Sequence, residues 1–218
     1  MCAITGSFSQ NKLTDLYRLN AYRGELSYSL SAFSFDEHKV RLETMMQDRD
    51  KMPDGLIKGL AQGDNKYYIA HSQAPTTNAN NIHPAVYGDC MLWHNGIIKQ
   101  KNLTEGTWDT QWLLEQVLNY GWSALSRVDG TFACIMYNSG ELFVFRNEIS
   151  PMFYDKDLNF SSTKVEFAES LPPNKVFKIN LKYKQISPIA YFQTMENPYY
   201  IPENACQLHI NYIQNPLV

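Results

Sequence analysis

A cysteine stands directly behind the initiator methionine, in the opening segment MCAITGSF. If Met1 is removed, Cys2 carries a thiol and a free α-amine on one residue. An α-amine has an unperturbed pKa near ~7.7–8.0, so it can accept a proton close to neutral pH. It can therefore activate its own side chain as a nucleophile without a separate histidine. The alternative interpretation is that Cys2 is a small, buried strand residue.

The segments around this cysteine predict many strands and a few helices. The opening segment alternates with period two and predicts a strand, and KLTDLYRLNAY has the apolar stripe of a helix. Asp109 is the predicted N-cap of a second helix that ends at Gly121. Further strands are predicted in ELSYSLSAFSF, KVRLETM, KYYIAHSQ, CMLWHNGII, GTFACIMY, ELFVFRNE, KVFKINL and KQISPIAYF. These elements predict one layered α+β domain over residues 1–218.

The composition argues against several classes of function. Of the 218 residues, 44% are hydrophobic and 19% are charged, which is typical of a globular protein with a sizeable core. A net charge of −3 and the lack of a basic stretch argue against a nucleic-acid partner. No apolar run is long enough to span a membrane. The four scattered cysteines form no CxxC pair, so we expect no metal site and no disulfide framework, and a cytoplasmic location.

Five segments in one order resemble the glutaminase domain of class II glutamine amidotransferases. They are the opening Met-Cys, YRGELS at 22–27, AHSQAPT at 70–76, WHNGII at 93–98 and WDTQWLL at 108–114. This family of N-terminal-nucleophile hydrolases includes the N-terminal domains of asparagine synthetase and glucosamine-6-phosphate synthase. The resemblance covers residues 2–180 and implies a four-layer αββα sandwich with antiparallel sheets. Residues 190–218 are expected to be a C-terminal extension or tail, with no synthase domain.

The resemblance also implies a mechanism and its residues. Cys2 is expected to attack the side-chain amide of glutamine, with its own amine as the base. Asn95 and Gly96 are expected to donate to the oxygen of the tetrahedral intermediate from an Asn-Gly turn. The alternative for this segment is an ordinary hairpin turn. No cofactor is expected.

Substrate binding is implied for five further positions. Asp109 matches the acid that holds the α-ammonium of glutamine, and its alternative role is helix capping. Arg23 matches the Arg-Gly pair beside the nucleophile, although Arg-Gly is also typical of a helix end. His83 is expected at the pocket rim, and a structural histidine is the alternative. Thr76 and Gln73 lie in the segment that carries the family's carboxylate-binding arginine.

Gln73 departs from the family pattern, because it stands where that arginine is expected. A carboxylate prefers a bidentate guanidinium to a neutral amide. The five matching segments still lead us to expect a glutaminase that releases ammonia from glutamine, supplying a separate synthase subunit. Two alternatives stay open: an inactive or regulatory binding module, and an amidohydrolase acting on a γ-glutamyl amide.

Overall fold

The computed structural model describes residues 2–74, 81–99, 103, 107–166 and 168–194. The helices are α1 (Gln10–Asn20) and α2 (Asp109–Tyr120), with short 3₁₀ helices at Ala21–Arg23, Ile57–Gly59 and Trp122–Arg127. The strands are β1 (Ala3–Ser7), β2 (Ser27–Phe35), β3 (Val40–Asp48), β4 (Lys66–Gln73), β5 (Ala85–Tyr87), β6 (Cys90–Ile98), β7 (Gly130–Asn138), β8 (Glu141–Arg146), β9 (Phe153–Tyr154), β10 (Phe160–Ser161), β11 (Glu169–Ser170), β12 (Lys175–Asn180) and β13 (Gln185–Tyr191).

Two antiparallel sheets face each other. The first has seven strands in the order β11-β9-β10-β1-β4-β2-β3, and the second has six in the order β13-β12-β8-β7-β6-β5. A buried cluster that includes Ile4, Phe33, Trp93 and Ile135 draws side chains from both sheets and fills the space between them. Such a layer of interdigitated apolar side chains is what holds two sheets face to face.

One helix covers the outer face of each sheet. Leu13 and Tyr17 of α1 pack on Leu30 of β2 in the first sheet. In α2, Leu113 and Leu114 belong to a second cluster on the outer face of the other sheet. The order of layers is therefore helix, sheet, sheet, helix, which confirms the predicted four-layer α+β sandwich. None of the helices in the described part of the chain has the length and hydrophobicity needed to cross a membrane.

Two local predictions were wrong. Asn95 and Gly96 form no turn, because both lie inside β6 and pair with Ala133 and Phe132 of β7 in unbroken register. Asp109 is the first residue of α2 rather than its N-cap, a position that Trp108 occupies. The predicted end of α2 at Gly121 is confirmed.

Candidate active site

The site begins at the N-terminal end of β1, which lies near the middle of the first sheet. Cys2 immediately precedes this strand and is buried. The Nε of Arg23 donates to the Cys2 carbonyl at 3.0 Å. Burial raises the pKa of the Cys2 thiol. The backbone N–H of Ala74 and the charge of Arg23 oppose this effect and act to lower the same pKa. Contacts from the 3₁₀ turn at Ala21–Arg23 and from the end of β4 therefore hold Cys2 in place.

Gly24 allows these two segments to approach each other. A Cβ built on Gly24 would lie 2.4 Å from the backbone nitrogen of Ala74. The N–H of Leu26 donates to the carbonyl of Gln73 at 2.8 Å, and this bond holds the segment after Gly24 against the end of β4. The requirement for glycine here is steric, because no side chain fits between the two backbones.

Gln73 is buried, and its amide is already engaged within the protein. Its Oε1 accepts from the Ser27 hydroxyl at 2.8 Å, and its Nε2 donates to the Asn81 carbonyl at 2.9 Å. The Nδ1 of His83 lies 3.4 Å from the same Oε1. These contacts fix the orientation of the amide, because only its nitrogen can donate to a carbonyl.

Two buried histidines stack beside Gln73. The rings of His71 and His83 lie 4.0 Å apart, and Trp108 packs edge-on against His83. The Nε2 of His71 is 3.2 Å from the backbone oxygen of His94, so the ring bridges the two sheets. Burial lowers the pKa of His71 to about 3 and that of His83 well below its usual range. Both rings are therefore neutral near pH 7.

Asp109 is placed by the start of α2 and the end of β6. Its Oδ1 accepts from the backbone N–H of Thr110 at 2.8 Å, and its Oδ2 accepts from the N–H of Ile98 at 3.3 Å. The charge of this carboxylate acts to raise the pKa of the Cys2 thiol. Its Oδ2 also lies 4.0 Å from the Nδ1 of His94.

Asn95 reaches the first sheet from β6. Its Nδ2 donates to the hydroxyl of Ser162 at 3.4 Å, and that hydroxyl accepts from the N–H of Ile4 at 3.0 Å. The amide of Asn95 is buried and lies beside the start of β1. His94, its neighbour, points to the opposite face of the sheet towards α2, as the alternation along the strand predicts.

Gly96 presents its backbone N–H away from β7. The N–H and the carbonyl of Phe132, which pairs with Gly96, are both used by Asn147 on the other side of β7. The pair Gly96–Phe132 is therefore a non-hydrogen-bonded pair of the ladder. The N–H of Gly96 points to the same edge of β6 as that of Ile98, which bonds Asp109. This edge is where a ligand oxygen can accept from it.

The structure brings most of the predicted site residues to one end of the sandwich. The predicted residues found there are Cys2, Arg23, Gln73, His83, Asn95, Gly96 and Asp109. Thr76 lies outside the described residues. Within the described ranges, no cluster of three His, Cys, Asp or Glu side chains could hold a metal ion.

Sequence reasoning missed Thr110 and Ser27 and gave no role to His94. Thr110 contacts Asp109, His83 and His94, and Ser27 holds Gln73. Hydroxyl residues are common in helix starts and strands, so their types alone carry no signal. Their positions follow only once the strands are paired.

Comparison with known proteins shows the fold. No protein-family model matches the sequence, and neither does any curated protein sequence. The chain is similar to the glutamine phosphoribosylpyrophosphate amidotransferase of B. subtilis in complex with ADP and GMP, with a TM-score of 0.60 and 15% identity, over 87% of this chain and 49% of that one. It is also similar to the structure of an allosteric regulatory enzyme of purine biosynthesis, with a TM-score of 0.57 and 16% identity, over 87% and 48%. This chain spans about half the length of both structures. The similarity of fold confirms the resemblance to glutamine amidotransferases that the sequence indicated.

Proposed function

We propose that this protein is a class II glutamine amidotransferase subunit that releases ammonia from glutamine through a thioester on Cys2. The observation that carries the proposal is the position of Cys2. It lies buried at the start of β1, its carbonyl is held by Arg23, and its thiol interacts with the N–H of Ala74 and with the charge of Asp109. The similarity of the fold to glutamine phosphoribosylpyrophosphate amidotransferase supports this assignment.

The first half-reaction requires removal of Met1. The α-amine of Cys2 takes the thiol proton, and the sulfur forms a bond to the carboxamide carbon of glutamine. The negative charge moves to the amide oxygen, where the Nδ2 of Asn95 and the N–H of Gly96 donate to it. When the intermediate collapses, the carbon–nitrogen bond breaks. The α-ammonium returns its proton to the leaving nitrogen, which departs as ammonia.

The second half-reaction restores the thiol. Water attacks the thioester carbon while the α-amine accepts one of its protons. The carbon–sulfur bond then breaks, the sulfur recovers the proton and glutamate leaves. In this scheme Asp109 holds the α-ammonium of the substrate with a charge-assisted hydrogen bond. No metal and no cofactor takes part in any step.

The partner in this proposal is a separate ammonia-accepting synthase subunit. The two similar structures are about twice as long as the region that this chain matches. In the proposal, this synthase subunit uses the ammonia that is released at Cys2.

The test is ammonia release from glutamine by the wild type and by Cys2→Ala. We expect the substitution to abolish release and to leave the thermal unfolding midpoint within a few degrees, because it removes one small buried atom. Cys134→Ala is the matched control, since Cys134 is also buried and its thiol pKa is raised by burial. Equal release from Cys2→Ala and the wild type would refute the proposal, and release from neither would favour the binding-module alternative.

A second candidate is an amidohydrolase whose substrate lacks a free α-carboxylate. The observation in its favour is Gln73, whose Oε1 and one N–H are taken up by Ser27 and Asn81. A γ-glutamyl amide with an esterified α-carboxyl group needs no cation at this position. Ammonia release that is faster from glutamine α-methyl ester than from glutamine would favour this candidate.

A further inference from the structure

The hydroxyl of Thr110 connects three groups of the site. Its Oγ1 lies 3.1 Å from the Nε2 of His83, 3.1 Å from the Nδ1 of His94 and 3.3 Å from the Oδ1 of Asp109. The side chain is completely buried. A hydroxyl has one proton to donate and two lone pairs.

The partners of the two rings decide which nitrogens carry protons. The Nε2 of His94 lies 3.2 Å from the carbonyl oxygen of Thr131, so this nitrogen carries the proton in the neutral ring. The Nδ1 of His83 faces the fixed Oε1 of Gln73, so this nitrogen is the protonated one. The Nδ1 of His94 and the Nε2 of His83 are then both acceptors. With the carboxylate of Asp109, three acceptors face the single proton of Thr110.

We propose that Thr110 is a positioning residue that makes the site selective for substrates with an α-ammonium group. Without a ligand, the Asp109 carboxylate competes with both rings for the hydroxyl proton. An ammonium bound at Asp109 supplies that carboxylate with donors of its own and releases the hydroxyl proton to the histidines. Thr110 thereby couples the binding of an ammonium group at Asp109 to the hydrogen bonds that hold His83 and His94. This inference rests on the proposed function, since it assumes that Asp109 binds the substrate amine.

The charged and titratable groups around the hydroxyl belong to three elements and to the segment before β5. His83 lies in that segment and is stacked on by His71 of β4, His94 lies on β6, and Asp109 precedes Thr110 on α2. Asp109 is the one carboxylate among these groups. A cation that arrives from solvent is therefore attracted to Asp109, which keeps 15% of its side chain exposed.

The kinetic test compares Thr110→Val, which removes the hydroxyl, with Thr110→Ser, which keeps it. We expect Thr110→Val to raise the KM for glutamine roughly ten-fold with kcat within about two-fold, because the substrate-bound state then lacks the hydrogen bond from the released hydroxyl to the histidine rings. Inhibition by glutaramate, the analogue without the α-amine, should stay unchanged. Thr110→Ser should restore the wild-type KM. Equal losses for glutamine and glutaramate would mean a structural role only and would overturn the proposal.

A matched control and a second measurement separate this inference from the proposed function. Thr5→Val removes another buried hydroxyl, one that donates to the Ala70 carbonyl, and should change neither constant. Nitrogen-15 NMR of the histidine rings needs no turnover. Thr110→Val should shift the Nε2 signal of His83 and the Nδ1 signal of His94, and Thr5→Val should not. Unchanged ring signals in Thr110→Val would overturn the positioning role even in an active enzyme, whereas absent ammonia release from the wild type would refute the proposed glutaminase instead.

Discussion

Gly96→Ala should damage both the fold and the site, because β6 has no room for a side chain at this position. A Cβ on Gly96 would lie 1.9 Å from the carbonyl oxygen of Thr131 and 2.7 Å from the Nε2 of His94. An ordinary C···O contact needs about 3.3 Å, so β6 and β7 would have to separate by about 1.4 Å at this pair. The backbone also has a φ of 156°, which L side chains rarely adopt.

The expected loss in the free energy of unfolding is about 2–6 kcal/mol, from overpacking of ~1–3 kcal/mol and backbone strain of similar size. Gly88→Ala is the matched control, since Gly88 also has a positive φ but has no atom within 4 Å of a built Cβ. Gly88→Ala should lower the free energy of unfolding by about 1–2 kcal/mol, from backbone strain alone.

Urea unfolding followed by tryptophan fluorescence measures both variants, and ammonia release measures the effect on the site. Turnover should fall in Gly96→Ala and not in Gly88→Ala, because the separation of β6 from β7 moves the donors of Asn95 and Gly96. Equal destabilisation by the two substitutions would refute the steric argument.

Three further predictions concern residues of the same site. Asn95→Ala should lower turnover by roughly 10²–10³ through loss of one donor to the oxyanion. It should also cost about 1 kcal/mol of stability, since the buried amide loses its bond to Ser162; a rate within two-fold of wild type would exclude the donor role. Gln73→Arg should lower the urea midpoint of unfolding, because arginine cannot accept the hydrogen bond from Ser27. A lower KM for glutamine in the same variant would show that the guanidinium reaches the α-carboxylate of the substrate. Burial lowers the pKa of His71 to about 3, below the ~6.5 of the unfolded chain, so the unfolded state binds more protons between these values. Stability should therefore fall as the pH drops below about 6.5, by up to ~1.4 kcal/mol per pH unit for this group. Urea midpoints between pH 5 and pH 7 should show a smaller slope for His71→Asn than for the wild type, and equal slopes would contradict the assignment.

The sequence was most informative where a local pattern determines the structure. The segments ELSYSLSAFSF and KVRLETM predicted β2 and β3, and GTFACIMY and ELFVFRNE predicted β7 and β8, which are joined by a hairpin in which Ser139 and Gly140 have positive φ. The order of the chemical segments predicted the four-layer fold. These features depend on neighbours in sequence, which a single sequence displays.

The sequence was misleading where pairing between distant strands decides the structure. Asn-Gly is the strongest short signal for a hairpin turn, yet Asn95 and Gly96 continue β6 because β7 pairs along the whole strand. A turn asparagine would be exposed, whereas Asn95 is buried, so its replacement should affect stability as well as turnover. The contacts of Thr110 with two histidines also required the tertiary structure, since these rings come from β6 and from the segment before β5.

The most direct test of the account is to identify the cysteine that reacts with 6-diazo-5-oxo-norleucine, a diazo ketone that mimics glutamine. Intact mass and peptide mapping of the treated protein give the number and position of the adducts. The proposed mechanism predicts one adduct, on Cys2, in a chain from which Met1 has been removed. Burial raises the pKa of the Cys90 and Cys134 thiols as it does that of Cys2. Cys90 and Cys134 should nevertheless stay unmodified, because each lies within a strand and has no free α-amine to take the thiol proton. A retained Met1, or an adduct on any cysteine other than Cys2, would contradict the account.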